Sequence, residues 1–369
     1  MRRGLRACAA LLTLAGCMPS HRMTPELAPG RTCPGADGFA WYFPVGPGDH
    51  ARLEDWCVTV GPPVVRLQPS GVFPDLLPGE ELAVLSWNVD VGGGDALGFL
   101  EREASVRCAG AESTLDAGAA HFALLAQEAF RSSADVPESA NPRVIPRAVE
   151  EEIRPGGRPD IVEIASRCGL SLAYVAAARN GSRGSDGRRE DKGVAILSTL
   201  SLSDVTFIEL PYEAGRRVAV AATVRDRVGR GLRLVSLHLI SAAAPARALT
   251  TGNGSRLRQG LAIADAVRQL EEDVRKDRPL AGLEPSTLLA GDFNTWSENE
   301  STLRHLRDVF PESPPALGQG TRGDFPTDHI LFRQGEGAAP LALGSTYARV
   351  EDRHHSDHHA IRMQVRFPH

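Results

Sequence analysis

Short apolar runs with an acid, an amide or an imidazole at one end are the dominant pattern of this 369-residue chain. Runs of this length between turn-forming residues predict buried strands. Polar groups at strand ends are rigidly held and still reach solvent, so the pattern predicts that they share one pocket. The runs are AVLSWNVD (83–90), FALLAQE (122–128), LRLVSLHL (232–239), TLLAGDFNTW (287–296) and TDHILF (327–332), which HHSDHHAI (354–361) follows.

Further elements follow from the same patterns. Residues 158–177 predict a helix that ends at Gly169 and then a strand, and GVAILST (193–199) and RVAVAATVR (217–225) predict two more strands. Apolar residues at three-to-four spacing predict an amphipathic helix over 255–276. Strands clustered with helices between them indicate two packed sheets flanked by helices.

The polar groups at the strand ends are of the kinds that hold a divalent metal ion and a phosphate. Oxygen ligands are preferred by Mg²⁺ and Mn²⁺, and binding such an ion would offset the cost of burying the Glu128 carboxylate. An ion pair between Glu128 and an arginine explains its position equally well. Side chains two residues apart on a strand point to the same side, so Asp292 and Asn294 face the same way and together can orient one water. These side chains predict a hydrolase of phosphate esters.

The blocks, in this order, resemble the endonuclease/exonuclease/phosphatase superfamily from about Leu82 to Phe367. The resemblance implies an α+β fold of the DNase I type, which is a four-layer α/β/β/α sandwich of two mainly antiparallel sheets flanked by helices. It also implies metal-dependent hydrolysis of phosphoric esters, with Mg²⁺ or Mn²⁺ as the cofactor.

The resemblance implies a role for each strand-end residue. Asp292 is the water-activating base, and His238 and His358 stabilise the phosphoryl group. SWNVD is similar to the exonuclease III-like branch, yet His238 stands where that branch has asparagine. Asn294 contacts the phosphate or the water, Asp328 is the acid partner of His358, and the metal ligands are Glu128, Asn88, Asp90 and Asp357. Arg216 and Arg217, which open a strand, are candidates for contact with the substrate phosphate, and a solvated strand end is the equal alternative.

The N-terminus has the features of an export signal. Residues 1–6 are basic, and the apolar run at 7–16 is too short to span a bilayer. It ends in Leu-Ala-Gly-Cys, which resembles the bacterial lipobox, so Cys17 is expected to become the lipidated first residue. A plain secretory signal that contains a cysteine is the alternative. Lipidation would hold the protein at a membrane of the bacterial cell envelope, facing the periplasm or at the outer membrane.

The chain has six cysteines. Cys8 would be lost with the signal peptide, and Cys17 would carry the lipid. Four then remain, and an even number in an exported protein predicts two disulfides. Three pairings are possible, of which Cys33–Cys57 and Cys108–Cys168 are favoured. No pair has the CxxC spacing of a zinc site, so structural zinc is not expected.

Charge and composition limit the choice of substrate. The formal net charge of −5 gives no global attraction to a polyanion, so phosphate binding must be local. With the resemblance and the N-terminal signal taken together, the expected function is an exported, membrane-tethered phosphodiesterase, and more specifically a nuclease, with no obligate protein partner. The alternatives are a sphingomyelinase-like phospholipid or inositol-phosphate phosphoesterase and a non-catalytic binding protein on the same fold. The expected organisation is a signal peptide (1–16), a tether (17–32), a disulfide-bounded Gly- and Pro-rich appendage (33–80) and a catalytic domain (81–369).

Overall fold

The computed structural model describes residues 27–30, 33, 38–46, 48–144, 158–181, 189–213, 215–241, 253–277, 284–337 and 340–369. The predicted signal peptide, Cys17 and most of the predicted tether lie outside the described residues. Among the described helices, none is both long enough and apolar enough to cross a membrane.

Sixteen strands and five α-helices follow one another along the described chain. The strands are β1 (Leu27–Pro29), β2 (Ala40–Pro44), β3 (Val64–Arg66), β4 (Glu81–Asn88), β5 (Val106–Arg107), β6 (Thr114–Leu115), β7 (His121–Ser132), β8 (Ser171–Arg179), β9 (Glu190–Ser198), β10 (Ser203–Glu209), β11 (Val218–Arg225), β12 (Gly231–His238), β13 (Ser286–Asp292), β14 (Asp328–Arg333), β15 (Ala342–Arg349) and β16 (Ile361–Arg366). The helices are α1 (Asp49–Cys57), α2 (Ala96–Glu103), α3 (Ile161–Arg167), α4 (Asn253–Asp277) and α5 (Ser301–Val309).

Two seven-stranded sheets form the centre of the molecule. Sheet A has the order β1-β2-β10-β11-β12-β13-β14, and sheet B has the order β15-β16-β4-β7-β9-β8-β3. Three neighbouring pairs in these sheets are parallel, namely β2 with β10, β12 with β13 and β4 with β7. The other pairs within the two sheets are antiparallel, which confirms the predicted fold of two mainly antiparallel sheets.

Alternation along the strands divides the apolar side chains into layers. In β4, Leu82 and Val84 lie between the sheets together with Leu234 of β12. Ala83 and Leu85 point the other way and pack with apolar residues of α2 and α3 outside sheet B. A third cluster packs α4 and α5 onto the outer face of sheet A. Because successive strand residues face opposite sides, one apolar run serves both an inner and an outer layer.

The N-terminal segment 33–80 supplies strands to both sheets. β2 pairs in parallel with β10 in sheet A, and β3 forms an edge of sheet B next to β8. The backbone of this segment is thus continuous with the sandwich. Both favoured disulfides are formed, Cys33–Cys57 across a sequence separation of 24 and Cys108–Cys168 across one of 60.

Candidate active site

Strand pairing brings the polar strand ends together at one edge of the two sheets. Parallel pairing of β12 with β13 sets His238 opposite Asp292, and antiparallel pairing of β13 with β14 sets Asp292 opposite Asp328. In sheet B, parallel pairing of β4 with β7 sets Asn88 opposite Gln127, the residue before Glu128. The Nδ2 atom of Asn88 donates to the Oδ2 atom of Asp292 over 3.0 Å, which joins the two sheets at this edge.

Asp292 is the centre of this cluster. Its side chain is buried, and its Oδ1 atom accepts a hydrogen bond from the backbone N–H of Asn294 at 2.8 Å. Its Oδ2 atom accepts from Asn88 and lies 3.3 Å from Nε2 of His238 and 3.7 Å from Nε2 of His358. One carboxylate therefore contacts an amide and lies close to both predicted imidazoles.

His358 and Asp328 form a buried acid–imidazole pair. The Nδ1 atom of His358 lies 2.8 Å from Oδ2 of Asp328, which also accepts a hydrogen bond from the Thr327 hydroxyl at 2.9 Å. Burial alone would lower the pKa of His358, but the carboxylates of Asp328 and Asp292 raise it to about 10. Burial alone would raise the pKa of Asp328, but His358 holds it below its ordinary value. The imidazole is therefore charged at neutral pH and can donate to a phosphoryl oxygen from Nε2.

The pKa of the Asp292 carboxyl is raised, whereas that of Asp328 is lowered. Burial raises the pKa of Asp292 to about 6, against the charge of His358, which lowers it, and the repulsion of Asp328 adds to the rise. At neutral pH the carboxylate is mostly ionised, and a pKa near neutrality suits a group that takes a proton from water.

His238 lies between Asp292 and Glu128, with Nδ1 at 3.8 Å from the Oε1 atom of Glu128. Burial lowers the pKa of His238 well below its ordinary value, and the nearby positive charges of Arg217 and Lys192 lower it further. His238 is therefore neutral at pH 7, so it donates from one ring nitrogen only.

Glu128 lies at a β-bulge, where β7 slips by one residue against β9 between Gln127 and Ala129. Its backbone φ of 52° falls in the left-handed region, which a non-glycine residue adopts at some energetic cost. Its Oε2 atom accepts a hydrogen bond from Nζ of Lys192 at 2.8 Å. The ion pair weighed from the sequence is therefore present, with a lysine rather than an arginine as the partner.

Lys192 lines the pocket, although the sequence did not predict that it lies there. In the sequence it belongs to a polar loop of mixed charge, and only its place directly before the apolar run 193–199 sets it apart. Because β9 runs antiparallel to β7, Lys192 near the start of β9 pairs with Phe130, two residues after Glu128. That pairing could have been inferred only once the partner of β9 was known.

The two arginines expected at the phosphate differ in their surroundings. The Arg216 guanidinium is buried, and Glu209 accepts from it at 2.7 and 2.8 Å. It also donates to the Ala176 carbonyl at 2.6 Å and lies 5.7 Å from the centre of the Trp56 ring. The expectation that Arg216 binds substrate phosphate is therefore corrected, because its guanidinium is buried in the ion pair with Glu209. Arg217 lines a small cavity that Glu128, Lys192 and His238 also line.

Asn88 and Asn294 are held by hydrogen bonds with the backbone. The Asp90 N–H donates to Oδ1 of Asn88 at 3.1 Å, which leaves Nδ2 directed at Asp292. The Nδ2 atom of Asn294 donates to the Leu239 carbonyl at 2.9 Å, which ties the end of β13 to the residue after β12. Both amides are therefore fixed in orientation before any substrate binds.

Asp357 lies at the rim of the cluster. Its Oδ1 atom is 3.7 Å from Nε2 of His358, and its Oδ2 atom is 2.5 Å from Nη2 of Arg322. The side chains of Asp357 and Arg322 are 39% and 50% exposed, so this pair can open to a ligand at low cost.

The sequence matches the Endonuclease/Exonuclease/phosphatase family over residues 85–350. The protein belongs to this family, whose enzymes generally hydrolyse phosphoester bonds. Its two sheets with flanking helices are those of the DNase I-like fold.

Solved structures similar to this chain include the human Nocturnin catalytic domain with bound sulfate anion, at 15% identity over 79% of this chain and 96% of that chain, with a TM-score of 0.48. An endonuclease/exonuclease/phosphatase from Beutenbergia cavernae DSM 12333 is 14% identical over 78% of this chain and 72% of that chain, with a TM-score of 0.47. D. rerio TDP2 complexed with single-strand DNA product is 14% identical over 77% of this chain and 98% of that chain, with a TM-score of 0.44. No curated protein matches the sequence.

Proposed function

We propose that the protein is a divalent-metal-dependent phosphodiesterase, and specifically a nuclease, that uses Asp292 to activate water. One observation carries the proposal. A carboxylate with a pKa near neutrality and a charged imidazole lie 3.7 Å apart in one buried cluster. Hydrolysis of a phosphate ester needs both a proton acceptor and a positive hydrogen-bond donor at the same phosphorus centre.

The residues divide the work between them. Asp292 takes the proton of the attacking water, and Asn88 and the backbone N–H of Asn294 keep its carboxylate oriented. His358 donates from Nε2 to a phosphoryl oxygen while Asp328 holds its other nitrogen. His238 supplies a second, neutral donor from the other side of Asp292. None of these groups has to move far, so the site is organised in advance for the developing charge.

The donor set fits a hard divalent ion. Glu128 at the bulge of β7 and Asn88 at the end of the adjacent β4 offer oxygen atoms. Asp90, whose N–H donates to Asn88, and Asp357, beside His358, add carboxylates. Oxygen-only ligation suits Mg²⁺ or Mn²⁺. A bound ion would neutralise charge on the phosphate and lower the pKa of a coordinated water. The compact group Asp292, Asp328 and His358 also has metal-ligand chemistry, but there the Asp328 hydrogen bond occupies Nδ1 of His358.

An aromatic pair beside the cluster favours nucleic acid over lipid as the substrate. The rings of Trp296 and Phe325 meet edge to face with centroids 4.4 Å apart, and Phe325 is 41% exposed. Phe325 exchanges backbone hydrogen bonds with Arg322, whose side chain reaches Asp357 next to His358. An exposed ring and a guanidinium close to a scissile phosphate suit the stacking of a nucleobase.

We also propose that the protein is exported. The Leu-Ala-Gly-Cys sequence before residue 18 supports a lipid-anchored protein of the bacterial cell envelope. Attachment through Cys17 would hold the enzyme at a membrane surface, where it would meet extracellular or periplasmic nucleic acid.

Purified mature protein should be assayed with Mg²⁺ or Mn²⁺, and with EDTA, on plasmid DNA, RNA, sphingomyelin and inositol phosphates. We expect cleavage of nucleic acid that EDTA abolishes. Asp292→Asn should lower turnover by roughly 10²-fold or more, because it removes the proton acceptor. Asp116→Asn is the matched control, since Asp116 pairs with Arg107 on the surface. Full activity of Asp292→Asn would contradict the proposal, and cleavage of sphingomyelin alone would replace nuclease with phospholipid phosphodiesterase.

A further inference from the structure

A buried lysine faces the carboxylate that is expected to bind the metal ion. The side chains of Lys192 and Glu128 are only 5% and 11% exposed, and Nζ donates to Oε2 over 2.8 Å. A buried ammonium is costly to desolvate unless it is paired, so this contact stabilises both charges.

The backbone fixes the lysine in this position. Lys192 pairs with Phe130 of β7 and with Ala178 of β8, on the far side of a bulge in each of those strands. The next residue must be glycine, because a Cβ atom at Gly193 would lie 1.9 Å from the Val175 carbonyl oxygen. The close packing of three strands at this point therefore holds the start of β9 and the ammonium beside Glu128.

The pair has one further positive charge beside it, that of Arg217. Arg217 and His238 line the same small cavity as Lys192 and Glu128. A divalent ion that reached Glu128 would meet the lysine ammonium at a few ångströms. Two positive charges at such a separation repel each other even at a high effective dielectric constant.

We propose that Lys192 is the internal counter-ion of Glu128, which a divalent cation must displace in order to bind there. Lys192 thereby sets the metal affinity of the site. It also keeps the Glu128 carboxylate paired while the metal is absent. The inference rests on the proposed function, because that function assigns Glu128 as a metal ligand.

Metal binding should be measured without substrate, by titration calorimetry with Mn²⁺ and by the shift in melting temperature that Mn²⁺ produces. We expect Lys192→Met to bind Mn²⁺ at least tenfold more tightly than the wild type and to melt lower when metal-free. Lys192→Arg keeps the competing charge and should bind as the wild type does. Arg225→Met is the matched control, because Arg225 forms a 2.9 Å pair with Asp204 at the opposite end of β11.

The outcomes separate the two proposals. Equal Mn²⁺ affinity in Lys192→Met and the wild type would overturn the counter-ion role and leave metal dependence in place. Absence of Mn²⁺ binding to the folded wild type would overturn both. If Lys192→Met does not fold, Lys192→Gln removes the charge and keeps a hydrogen-bond donor, and it should show the same tightening.

Discussion

The Nδ1 atom of His358 lies 2.8 Å from the Oδ2 atom of Asp328, and both side chains are buried. The contact fixes the ring so that Nε2 faces Asp292 at 3.7 Å. A carboxylate on one nitrogen stabilises the imidazolium and orients the other nitrogen toward its target. The relationship makes Asp328 a positioning residue whose influence passes through His358.

Asp328→Asn should lower kcat/KM by roughly 10²-fold, because a neutral amide no longer stabilises the charged ring. The pKa of His358 is raised to about 10, so the wild type loses the donor only as the pH rises toward that value. In the variant the alkaline limb of the pH–rate profile should move to lower pH. The measurement is a pH–rate profile with a small phosphodiester.

The acidic limb is the internal control. It reports Asp292, whose pKa of about 6 means that activity rises as the pH passes through that value and the base ionises. Removal of the Asp328 charge should move this limb far less than the alkaline one. An unmoved alkaline limb in Asp328→Asn would show that the pair does not set the charge of His358.

The cluster itself could be predicted from the sequence because it depends on strand ends. His238, Asp292 and Asp328 each end or begin an apolar run, and strand pairing brings such ends to the same edge. The core layers follow from the same alternation, since period two assigns each residue of a run to a face. The assignment of core residues to faces needs no knowledge of which strands are neighbours, whereas the meeting of the strand ends depends on the order and direction of the strands.

Features that depend on distant pairing could not be predicted. Arg216 and Arg217 are adjacent in the sequence, and only the structure shows that Glu209 holds the first while the second lines the cavity near Glu128. Likewise, the position of Lys192 follows from bulges in two neighbouring strands. For the segment 33–80, the parallel pairing of β2 with β10 joins residues that are far apart along the chain.

His329 should make stability depend on pH. Burial lowers the pKa of His329 from 6.5 to about 4, while its Nε2 atom lies 2.8 Å from the Thr295 hydroxyl. Between pH 6.5 and 4 the unfolded chain takes up a proton that the folded protein does not. The free energy of unfolding therefore falls as the pH is lowered through this range. Acidification from pH 7 to pH 5 should lower the free energy of unfolding by roughly 2 kcal/mol through this group.

The check is urea unfolding of the wild type and of His329→Gln at both pH values. The variant should be less stable at pH 7 and should lose less stability on acidification. His305→Gln, on α5, is the control and should keep the wild-type difference. Equal losses in wild type and His329→Gln would mean that this histidine is not buried in its neutral form.

The disulfides should contribute unequally to stability. Cross-linking lowers the entropy of the unfolded chain more for longer loops, and Cys108–Cys168 spans 60 residues against 24 for Cys33–Cys57. We expect a loss of roughly 4 kcal/mol in the free energy of unfolding for the paired Cys→Ala variant of the longer loop and roughly 3 kcal/mol for the shorter. Urea unfolding measures these losses. A reductant should not destabilise a variant further through the disulfide that it already lacks. Maleimide labelling of the native, unreduced protein at any of the four cysteines would refute the pairing.

Cys17 lies outside the described residues, and its lipidation is a prediction from the sequence. Cys17→Ser, expressed in a bacterium, should abolish incorporation of labelled palmitate and remove the protein from the membrane fraction. Cys8→Ser is the matched control, because Cys8 belongs to the segment that is predicted to be removed, and this variant should be processed normally. Palmitate labelling of Cys17→Ser would rule out this residue as the anchor.

The exposed ring of Phe325 tests the class of substrate. Phe325→Ala should lower kcat/KM for thymidine 5′-(p-nitrophenyl phosphate) by roughly tenfold, because stacking on a base is worth about 1–3 kcal/mol. Hydrolysis of methyl p-nitrophenyl phosphate, which has the same leaving group and no base, should stay nearly unchanged. Phe325→Trp keeps the stacking surface, and Val228→Ala removes another exposed apolar side chain, which is 58% exposed.

Both of these controls should behave as the wild type on both esters. If Phe325→Ala lowered kcat/KM equally for the two esters, the ring would act only by packing against Trp296. No loss on either ester would remove the base-stacking surface from the proposal. The exposed ring would then no longer favour a nucleotide, and a phospholipid or inositol-phosphate headgroup would become the better substrate for the same Asp292 and His358 chemistry.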